Sequence, residues 1–260
     1  MGQILCIRRV AVKLALITSI YPGNPAPQKR AIASWNAAQG VEVVSLNSPV
    51  ELPQLQQEGY DADVRFLQAH RDGQALVGKP LIYVYDAIAA GLASDASMIG
   101  VINSDIMLRV SSNFVDQLWP QVRGGLVFGS RMDIPNAEAR TGRVYYWGFD
   151  YFFMDRAALD YIEDEPFFFG VPWWDYWLPI SFIVADRRIA RIASPIGFHV
   201  SHPTRWDPTL YAKIGAYYGE FIRRNFAKRG WSAIAGPHPK DPYWGIGTLK
   251  RLEKCDRVTL

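Results

Sequence analysis

Three polar residues, Asn103, Ser104 and Asp105, directly follow a short apolar run at residues 98–102. That run has the β-prone composition of a strand buried on both faces of a parallel sheet. Ligands of open α/β sheets bind outside the carboxyl ends of the strands. A carboxylate at such a place suits a hard cation, Mg²⁺ or Mn²⁺, that carries a nucleotide diphosphate. The residues alone leave a second interpretation open, a polar turn that caps the next element.

Two histidines, His199 and His202, follow another apolar run at residues 190–198. Imidazoles three residues apart after a strand can converge on one ion, and neutral imidazole suits Mn²⁺. Because His199 follows the strand directly, its position favours it over His202. The alternative is a pair of surface histidines in a loop.

Hydrophobic periodicity and turn residues predict an alternation of strands and helices, which is typical of a parallel sheet with helices on both faces. The predicted strands cover residues 13–20, 41–46, 64–69, 98–102, 126–134, 148–154 and 190–198, and the predicted helices cover 28–39, 80–92, 114–122, 156–162, 173–184 and 207–229. No Gly-x-Gly-x-x-Gly follows the first strand and no P-loop motif is present, which argues against a dinucleotide-binding site and a P-loop NTPase.

The composition limits the classes of function. The 260 residues carry a formal net charge of only +3, and no basic block or RNA-binding motif is present, so we expect no nucleic-acid partner. The two cysteines, Cys6 and Cys255, lie at opposite ends without metal or disulfide spacing. They predict a reducing compartment, and we therefore expect a cytoplasmic protein.

The order of elements, Asn103-Ser104-Asp105 after the fourth strand, and Trp173-Trp174-Asp175 at a late helix start together resemble a GT-A-fold glycosyltransferase. The resemblance implies an α/β fold, a Rossmann-type mixed sheet flanked by helices, in a single domain with a C-terminal helical extension. We expect that domain at residues 13–229 and a basic, Gly/Pro-containing tail at 230–260.

The resemblance also implies a metal site. The hallmark of the family is an acidic Asp-x-Asp motif that binds the ion and the diphosphate of the donor. Here Asn103 takes the first position and Asp105 the last, so one carboxylate is missing. Asn103 can still contact the ribose or the donor sugar while Asp105 holds Mn²⁺ or Mg²⁺. In many members a histidine near the end of the domain completes the site, which points to His199 or His202.

Asp175 is the predicted general base. In the inverting enzymes that the chain resembles, an acid at the start of the corresponding helix takes the proton from the acceptor hydroxyl. Trp173, Trp174 and Trp177 would exclude water around it and raise the pKa of its carboxyl by desolvation. The alternative is that Asp175 interacts only with the helix dipole and that the tryptophans are core.

The acceptor is expected to contact the aromatic region. Trp173 and Trp174 suit the apolar face of a sugar ring, and Asp150, flanked by aromatic residues, suits a sugar hydroxyl. The alternative for Asp150 is an ion pair with a nearby arginine. The donor nucleotide is expected to contact polar residues at strand ends and near the fourth strand. These donor candidates are Thr18, Ser19, Tyr21, Asn47, Lys79, Asp86, Asn103, Ser104, Asp105 and Arg131.

The last fifty residues are basic, with ten Lys or Arg and four acidic residues. One interpretation is a solvated helix face, and the other is peripheral contact with the anionic inner face of a membrane.

The sequence thus predicts an inverting, metal-assisted transfer of a sugar from a nucleotide-diphosphate donor to a glycan or lipid-linked hydroxyl. Two alternatives stay open, a catalytically impaired carbohydrate-binding protein and a sugar-nucleotide nucleotidyltransferase.

Overall fold

The computed structural model describes residues 12–60, 63–202, 207–229 and 252–260. Ten strands form one sheet in the order β10-β8-β6-β7-β4-β1-β2-β3, and β5 and β9 pair with each other beside β6. The strands are β1 (Leu14–Thr18), β2 (Val41–Asn47), β3 (Arg65–Gln68), β4 (Met98–Ile102), β5 (Ile106–Leu108), β6 (Gly125–Ile134), β7 (Arg143–Asp155), β8 (Arg188–Ile192), β9 (Gly197–Val200) and β10 (Asp256–Val258). The helices are α1 (Pro25–Asn36), α2 (Leu52–Gln57), α3 (Gln74–Val77), α4 (Val84–Leu92), α5 (Phe114–Val122), α6 (Trp174–Val184) and α7 (Pro208–Lys228), with a 3-10 helix at Arg156–Tyr161.

The buried strand β1 shows why the sheet is covered on both faces. Its five residues are all buried, and successive side chains of a strand point to opposite faces. Ala15 and Ile17 belong to the apolar cluster that contains α4, α6 and α7. Leu14 and Leu16 belong to the cluster that contains α1 and α5. The mixed α/β architecture predicted from the sequence is therefore confirmed.

The sheet changes direction at β7. The strands β1 to β4 are parallel to one another, whereas β7 runs antiparallel to both β4 and β6. This arrangement brings the end of β4 close to the middle of β7, with Ile102 opposite Tyr151. Residues that follow β4 and residues near Asp150 therefore share one edge of the sheet.

Most predicted elements agree with the structure to within three residues, and four differ. The strand predicted at 148–154 begins five residues earlier, at Arg143. The helix predicted at 80–92 begins only at Val84, because the backbone before it is extended and Tyr83 bridges to Phe168. The strand predicted at 190–198 is two strands, β8 and β9, separated at residues 193–196. The short helix predicted at 156–162 is a 3-10 helix.

The C-terminal end of the chain joins the sheet. Asp256–Val258 forms β10, which pairs in parallel with β8. Leu252 is fully buried. The first part of the predicted basic tail, 230–251, lies outside the described residues. Among the described residues, no helix has both the length and the apolar character that a membrane span requires.

Candidate metal site and acidic pocket

Asp105, His199 and His202, which we call the Asp/His cluster, come together through strand pairing. β5 and β9 are antiparallel, and Ile106 lies opposite His199, so the residue before β5 reaches the histidine. The Nε2 atoms of His199 and His202 lie 3.5 and 3.7 Å from Oδ2 of Asp105. The three ligand atoms lie within 4.8 Å of one another. Two imidazole nitrogens and one carboxylate oxygen form a donor set that suits a divalent transition metal such as Mn²⁺.

Asp133 orients one of these histidines. Its Oδ1 lies 2.9 Å from Nδ1 of His199. Because a carboxylate only accepts hydrogen bonds, Nδ1 carries a proton, so Nε2, which faces Asp105, is the nitrogen that can bind a cation once it has lost its own proton. A carboxylate behind a histidine is the usual second partner in metal sites. The sequence analysis missed Asp133, although its position two residues after Arg131 in β6 places both side chains on one face of that strand.

Electrostatics within the cluster stabilise opposite charges. Burial raises the pKa of Asp105, but the hydrogen bond and charge of His199 and the charge of His202 outweigh it, so the pKa lies below its ordinary value. Burial lowers the pKa of His199, but Asp105 and Asp133 outweigh it, so that pKa is raised. A cation bound to these Nε2 atoms would take the place of the proton.

Arg131 connects the cluster to a second acidic region. Its Nε donates to Asp133 over 2.9 Å, and its Nη1 donates to Asp150 over 3.2 Å. The side-chain amide of Asn103 donates to Asp150 over 2.6 Å. Asp150 thus has the arginine partner that the sequence analysis named as its alternative, and Asn103 holds a carboxylate of the protein itself. The charge of Asp105 also contributes to the raised pKa of Asp150, behind the main effect of burial.

Asp175 lies in the first turn of α6 and faces this region. Burial, and then the charge of Asp150, raise the pKa of Asp175 to about 7, although main-chain hydrogen bonds at Asp175, Trp173 and Phe149 oppose that rise. Asp150 is therefore within electrostatic range of both Asp105 and Asp175. We call Asp150 and Asp175 with their polar partners the acidic pocket, and it adjoins the Asp/His cluster.

The two tryptophans beside Asp175 are buried rather than open to a ligand. Trp173 is 6% exposed and Trp174 is 3% exposed. Trp173 has a left-handed backbone, with φ 85°, and its indole donates to the carbonyl of Tyr211. Such a conformation costs a non-glycine residue about 1–3 kcal/mol. This placement matches the alternative that the tryptophans are core, and their contact with an acceptor stays a prediction.

Several predicted donor residues lie at the carboxyl edge of the parallel strands. Thr18 ends β1 and is fully buried, and its hydroxyl has no hydrogen-bond partner among the described residues. Ser104 donates to the side chain of Gln28, a buried residue that the sequence analysis missed. Ser19 is half-buried, and Tyr21 is 60% exposed.

The other donor candidates have partners within the protein. The amide of Asn47 donates to the carbonyl of Ile20, which fixes the loop after β1. Asp86 is buried and accepts two hydrogen bonds from Arg71. Lys79 lies 3.9 Å from Asp207 at the surface. The structure does not bring Lys79 or Asp86 into contact with the Asp/His cluster, and their roles stay predictions.

Comparison with known proteins gives no match to a family model and no match to a curated protein. Solved structures do match. A mannosyltransferase from Pyrobaculum calidifontis, solved with GDP-Man and Mn²⁺, has a TM-score of 0.50 at 13% identity over 92% of this chain and 73% of its own. A mycobacterial protein has a TM-score of 0.50 at 16% identity, over 88% and 82% of the two chains.

A weaker likeness is to glucosyl-3-phosphoglycerate synthase from Mycobacterium tuberculosis, solved with Mg²⁺ and UDP. Its TM-score is 0.44 at 15% identity, over 86% of this chain and 82% of that one. At 13% and 16% identity, the two matches with a TM-score of 0.50 establish the fold alone. The chain therefore has the fold of the GT-A-type nucleotide-diphospho-sugar transferases, as the resemblance in its sequence implied.

Proposed function

We propose that this protein transfers a sugar from a nucleotide-diphosphate donor to a hydroxyl group of a glycan or lipid-linked acceptor, by an inverting and metal-assisted mechanism. One observation carries the proposal. The Asp/His cluster adjoins an acidic pocket that holds Asp175, a carboxyl with a pKa of about 7, and Asp150 is within electrostatic range of both. A cation site beside a potential base is the arrangement that this chemistry needs.

Asp105, His199 and His202 would hold the divalent ion. Their donor atoms are close enough to share it, and Asp133 fixes His199 in the tautomer that a metal ligand requires. When bound, Mn²⁺ or Mg²⁺ neutralises charge on the leaving diphosphate. The match to a mannosyltransferase solved with GDP-Man and Mn²⁺ supports both the class of donor and the metal.

Asp175 would take the proton from the acceptor hydroxyl. A base works best when its pKa lies near the working pH, because it is then both ionised and basic enough to accept the proton. Desolvation and the neighbouring Asp150 place the pKa of Asp175 in that range. An ordinary surface aspartate would be ionised but a much weaker base.

Arg131 and Asp150 would position the donor sugar or the acceptor. Asp150 keeps acceptor capacity after its bonds to Arg131 and Asn103, because a carboxylate has about four lone-pair sites. Arg131 is half-buried and lies between two carboxylates that hold its guanidinium in place, so the side chain loses little conformational entropy when a ligand binds. A sugar hydroxyl that donates to Asp150 would therefore meet a preorganised group.

A thermal-shift screen of nucleoside diphosphates, with and without Mn²⁺, tests the proposal. At a ligand concentration of ~100 times Kd, binding adds about 2.7 kcal/mol to the free energy of unfolding, which raises Tm by about 5 °C or more. We expect that rise for at least one of GDP, UDP, CDP, ADP or dTDP, and only when Mn²⁺ is present. In the Asp105→Asn variant the rise should be small.

Product analysis then separates the alternatives. With the matching sugar nucleotide, we expect release of the nucleoside diphosphate. Release of pyrophosphate in a reaction with a nucleoside triphosphate would instead select a nucleotidyltransferase. Binding without turnover would select the impaired carbohydrate-binding protein, and no thermal shift with any nucleotide would contradict the proposal as a whole.

A further inference from the structure

An irregularity in the sheet projects aromatic side chains next to the acidic pocket. In the pairing of β6 with β7, Ser130 lies opposite Phe149 but the next residue, Arg131, lies opposite Tyr145. Residues 146–148 of β7 thus have no opposite residue in the register with β6 and form a bulge. Bulges of this kind re-aim side chains and occur often beside active sites. We call Tyr145, Tyr146 and Trp147 the aromatic bulge.

The aromatic bulge is exposed although its residues are large and apolar. Tyr145 is 46% exposed, and Tyr146 and Trp147 are each 37% exposed, whereas Phe149 and the residues that follow it in β7 are buried. Apolar patches that stay open to solvent in an otherwise well-packed protein commonly mark binding surfaces.

Several contacts hold the aromatic bulge in place. The hydroxyl of Ser130 donates to the carbonyl of Tyr146 over 2.8 Å, and the hydroxyl of Tyr176 donates to the carbonyl of Trp147 over 2.6 Å. The guanidinium of Arg191, itself only 1% exposed, lies 3.9 Å from the ring centre of Tyr146. A surface fixed in this way loses little conformational entropy when it binds a ligand.

Gly148 also fits this arrangement. A Cβ atom at that position would lie 2.2 Å from the ring of Tyr145, so only glycine lets the ring lie against the backbone. Tyr145 therefore has a defined position even though it is half open to solvent.

The aromatic bulge borders the acidic pocket. The guanidinium of Arg131 lies 4.8 Å from the ring centre of Tyr145, and the same guanidinium donates to Asp150. The main chain of Phe149, which directly follows the unpaired residues 146–148, hydrogen-bonds to Asp175. Tyr176, which anchors Trp147, is the neighbour of Asp175 in α6. Tyr145 is thus linked to Asp150 through Arg131, and Trp147 is linked to Asp175 through Tyr176.

We propose that Tyr145 and Trp147 form the binding surface for a saccharide acceptor, and this inference rests on the proposed function. Aromatic rings bind the apolar C–H face of a sugar, while adjacent carboxylates accept hydrogen bonds from its hydroxyls. Tyr146 has a different part, since Arg191 and Arg257 hold its ring and hydroxyl and so fix the bulge.

A saccharide array tests this proposal. The full chain is applied with Mn²⁺ and the best nucleoside diphosphate to immobilised mono- to tetrasaccharides of hexoses, pentoses, N-acetylhexosamines and uronic acids. We expect retention on at least one saccharide, with apparent affinity weakened about tenfold or more in Tyr145→Ala and in Trp147→Ala. Tyr145→Trp should retain binding, because it keeps an aromatic face.

Tyr161→Ala is the matched control. Tyr161 is 47% exposed, and the guanidinium of Arg187 lies 3.9 Å from its ring centre. It therefore matches Tyr145 in exposure and in its contact with an arginine. It lies beyond the opposite end of β7, in the 3-10 helix. Its removal should leave saccharide binding unchanged.

The outcomes distinguish this proposal from the proposed function. The nucleotide-induced rise in Tm should be unchanged in Tyr145→Ala, since that residue does not contact the Asp/His cluster. If the wild type shows this rise but binds no saccharide, or binds equally well without Tyr145 and Trp147, the surface proposal is overturned and the donor site stands. If saccharide binding depends on both residues but no nucleotide binds, the surface stands and the transferase proposal fails. Trp147-dependent binding to phosphatidylcholine/phosphatidylglycerol vesicles, without saccharide binding, would also overturn it.

Discussion

The Asp/His cluster and the acidic pocket use the same kind of side chain for opposite purposes. Asp105 has two histidines beside it, and they hold the pKa of its carboxyl below the ordinary value in spite of burial. Asp175 differs, because burial and the charge of Asp150 raise the pKa of its carboxyl to about 7. The environment therefore makes one carboxylate a permanent anion, fit to hold a cation, and the other a group that can exchange a proton near neutrality.

Asp150 shows how the two regions stay distinct while adjacent. Arg131 and Asn103 bind its carboxylate, and these contacts oppose the rise that burial causes in its pKa. Arg131 also donates to Asp133, which contacts His199. One arginine thus lies between the carboxylate of Asp133, behind the metal cluster, and the carboxylate of Asp150 in the pocket, and its positive charge opposes the rise in the pKa of Asp150.

Removing the proton acceptor should have the largest effect. We expect Asp175→Asn to lower the rate of nucleoside diphosphate release about 10³-fold, because a positioned base contributes 10²- to 10⁴-fold and asparagine cannot accept the proton. The nucleotide-induced rise in Tm should persist. In the wild type, the rate should fall as pH drops below about 7, because the carboxyl is then protonated.

Asp116→Asn is the control for that experiment. Asp116 also lies in the first turn of a helix, α5, but on the surface and away from the pocket. If Asp175 acted only through the helix dipole, both variants would lose a few tenths of a kcal/mol to about 1 kcal/mol of stability and neither would lose turnover. Normal turnover in Asp175→Asn would refute the assignment of the base.

Removing a direct ligand should weaken the metal site strongly. For His199→Ala we expect Mn²⁺ affinity, measured by calorimetry with the nucleotide present, to fall about 100-fold, since a ligand and its orienting contact to Asp133 are both lost. His70→Ala is the control, because His70 is largely exposed and lies 4.0 Å from a different aspartate, Asp86. Equal affinity in the two variants would exclude His199 as a ligand.

Removing the orienting carboxylate should have a smaller effect on the same property. Asp133→Asn keeps the shape of the side chain but can present its amide nitrogen to Nδ1, which disfavours the tautomer with a free Nε2. We expect Mn²⁺ affinity to fall about 10-fold. The rate at saturating Mn²⁺ should recover most of its wild-type value, whereas a loss that Mn²⁺ cannot restore would contradict an orienting role.

Local patterns in the sequence predict much of the fold, and the reason is visible in β1 and β4. Both are short apolar runs buried on both faces, so composition alone identifies them. The polar residues after β4 follow from the same pattern, since a buried strand ends where polar side chains begin. The clustering of Asp105 with His199 was expected only through the family resemblance.

Long-range pairing is what the sequence does not reveal. Asp133 meets His199 because β6 pairs with β9, and the two residues are 66 positions apart. The aromatic bulge depends on three residues of β7 that lack partners, and no local pattern in residues 143–155 marks that shift. Such features depend on which strands are neighbours, and apolar periodicity does not specify this.

The smallest expected effect concerns stability rather than activity. A carboxyl with a raised pKa in the folded state binds its proton more tightly there than in the unfolded chain, where the pKa is near 3.8. Between about pH 4 and pH 7 the folded state therefore carries more protons, and stability falls as pH rises through this window. In the Asp175→Asn variant this side chain stays neutral, so the variant does not lose stability through its ionisation.

We therefore expect Asp175→Asn to melt above the wild type, with a gap in Tm that widens by about 5 °C or more between pH 5 and pH 8. The change in this gap with pH reports on Asp175 alone, because every other ionisable group is present in both proteins. The Asp116→Asn variant should show no such change. A gap that stays constant with pH, or narrows, would mean that the folded protein does not raise this pKa. A gap that widens would mean that the ionisable carboxyl of Asp175 lowers the stability of the fold at neutral pH. Such a cost is expected of a group that is retained for its chemistry.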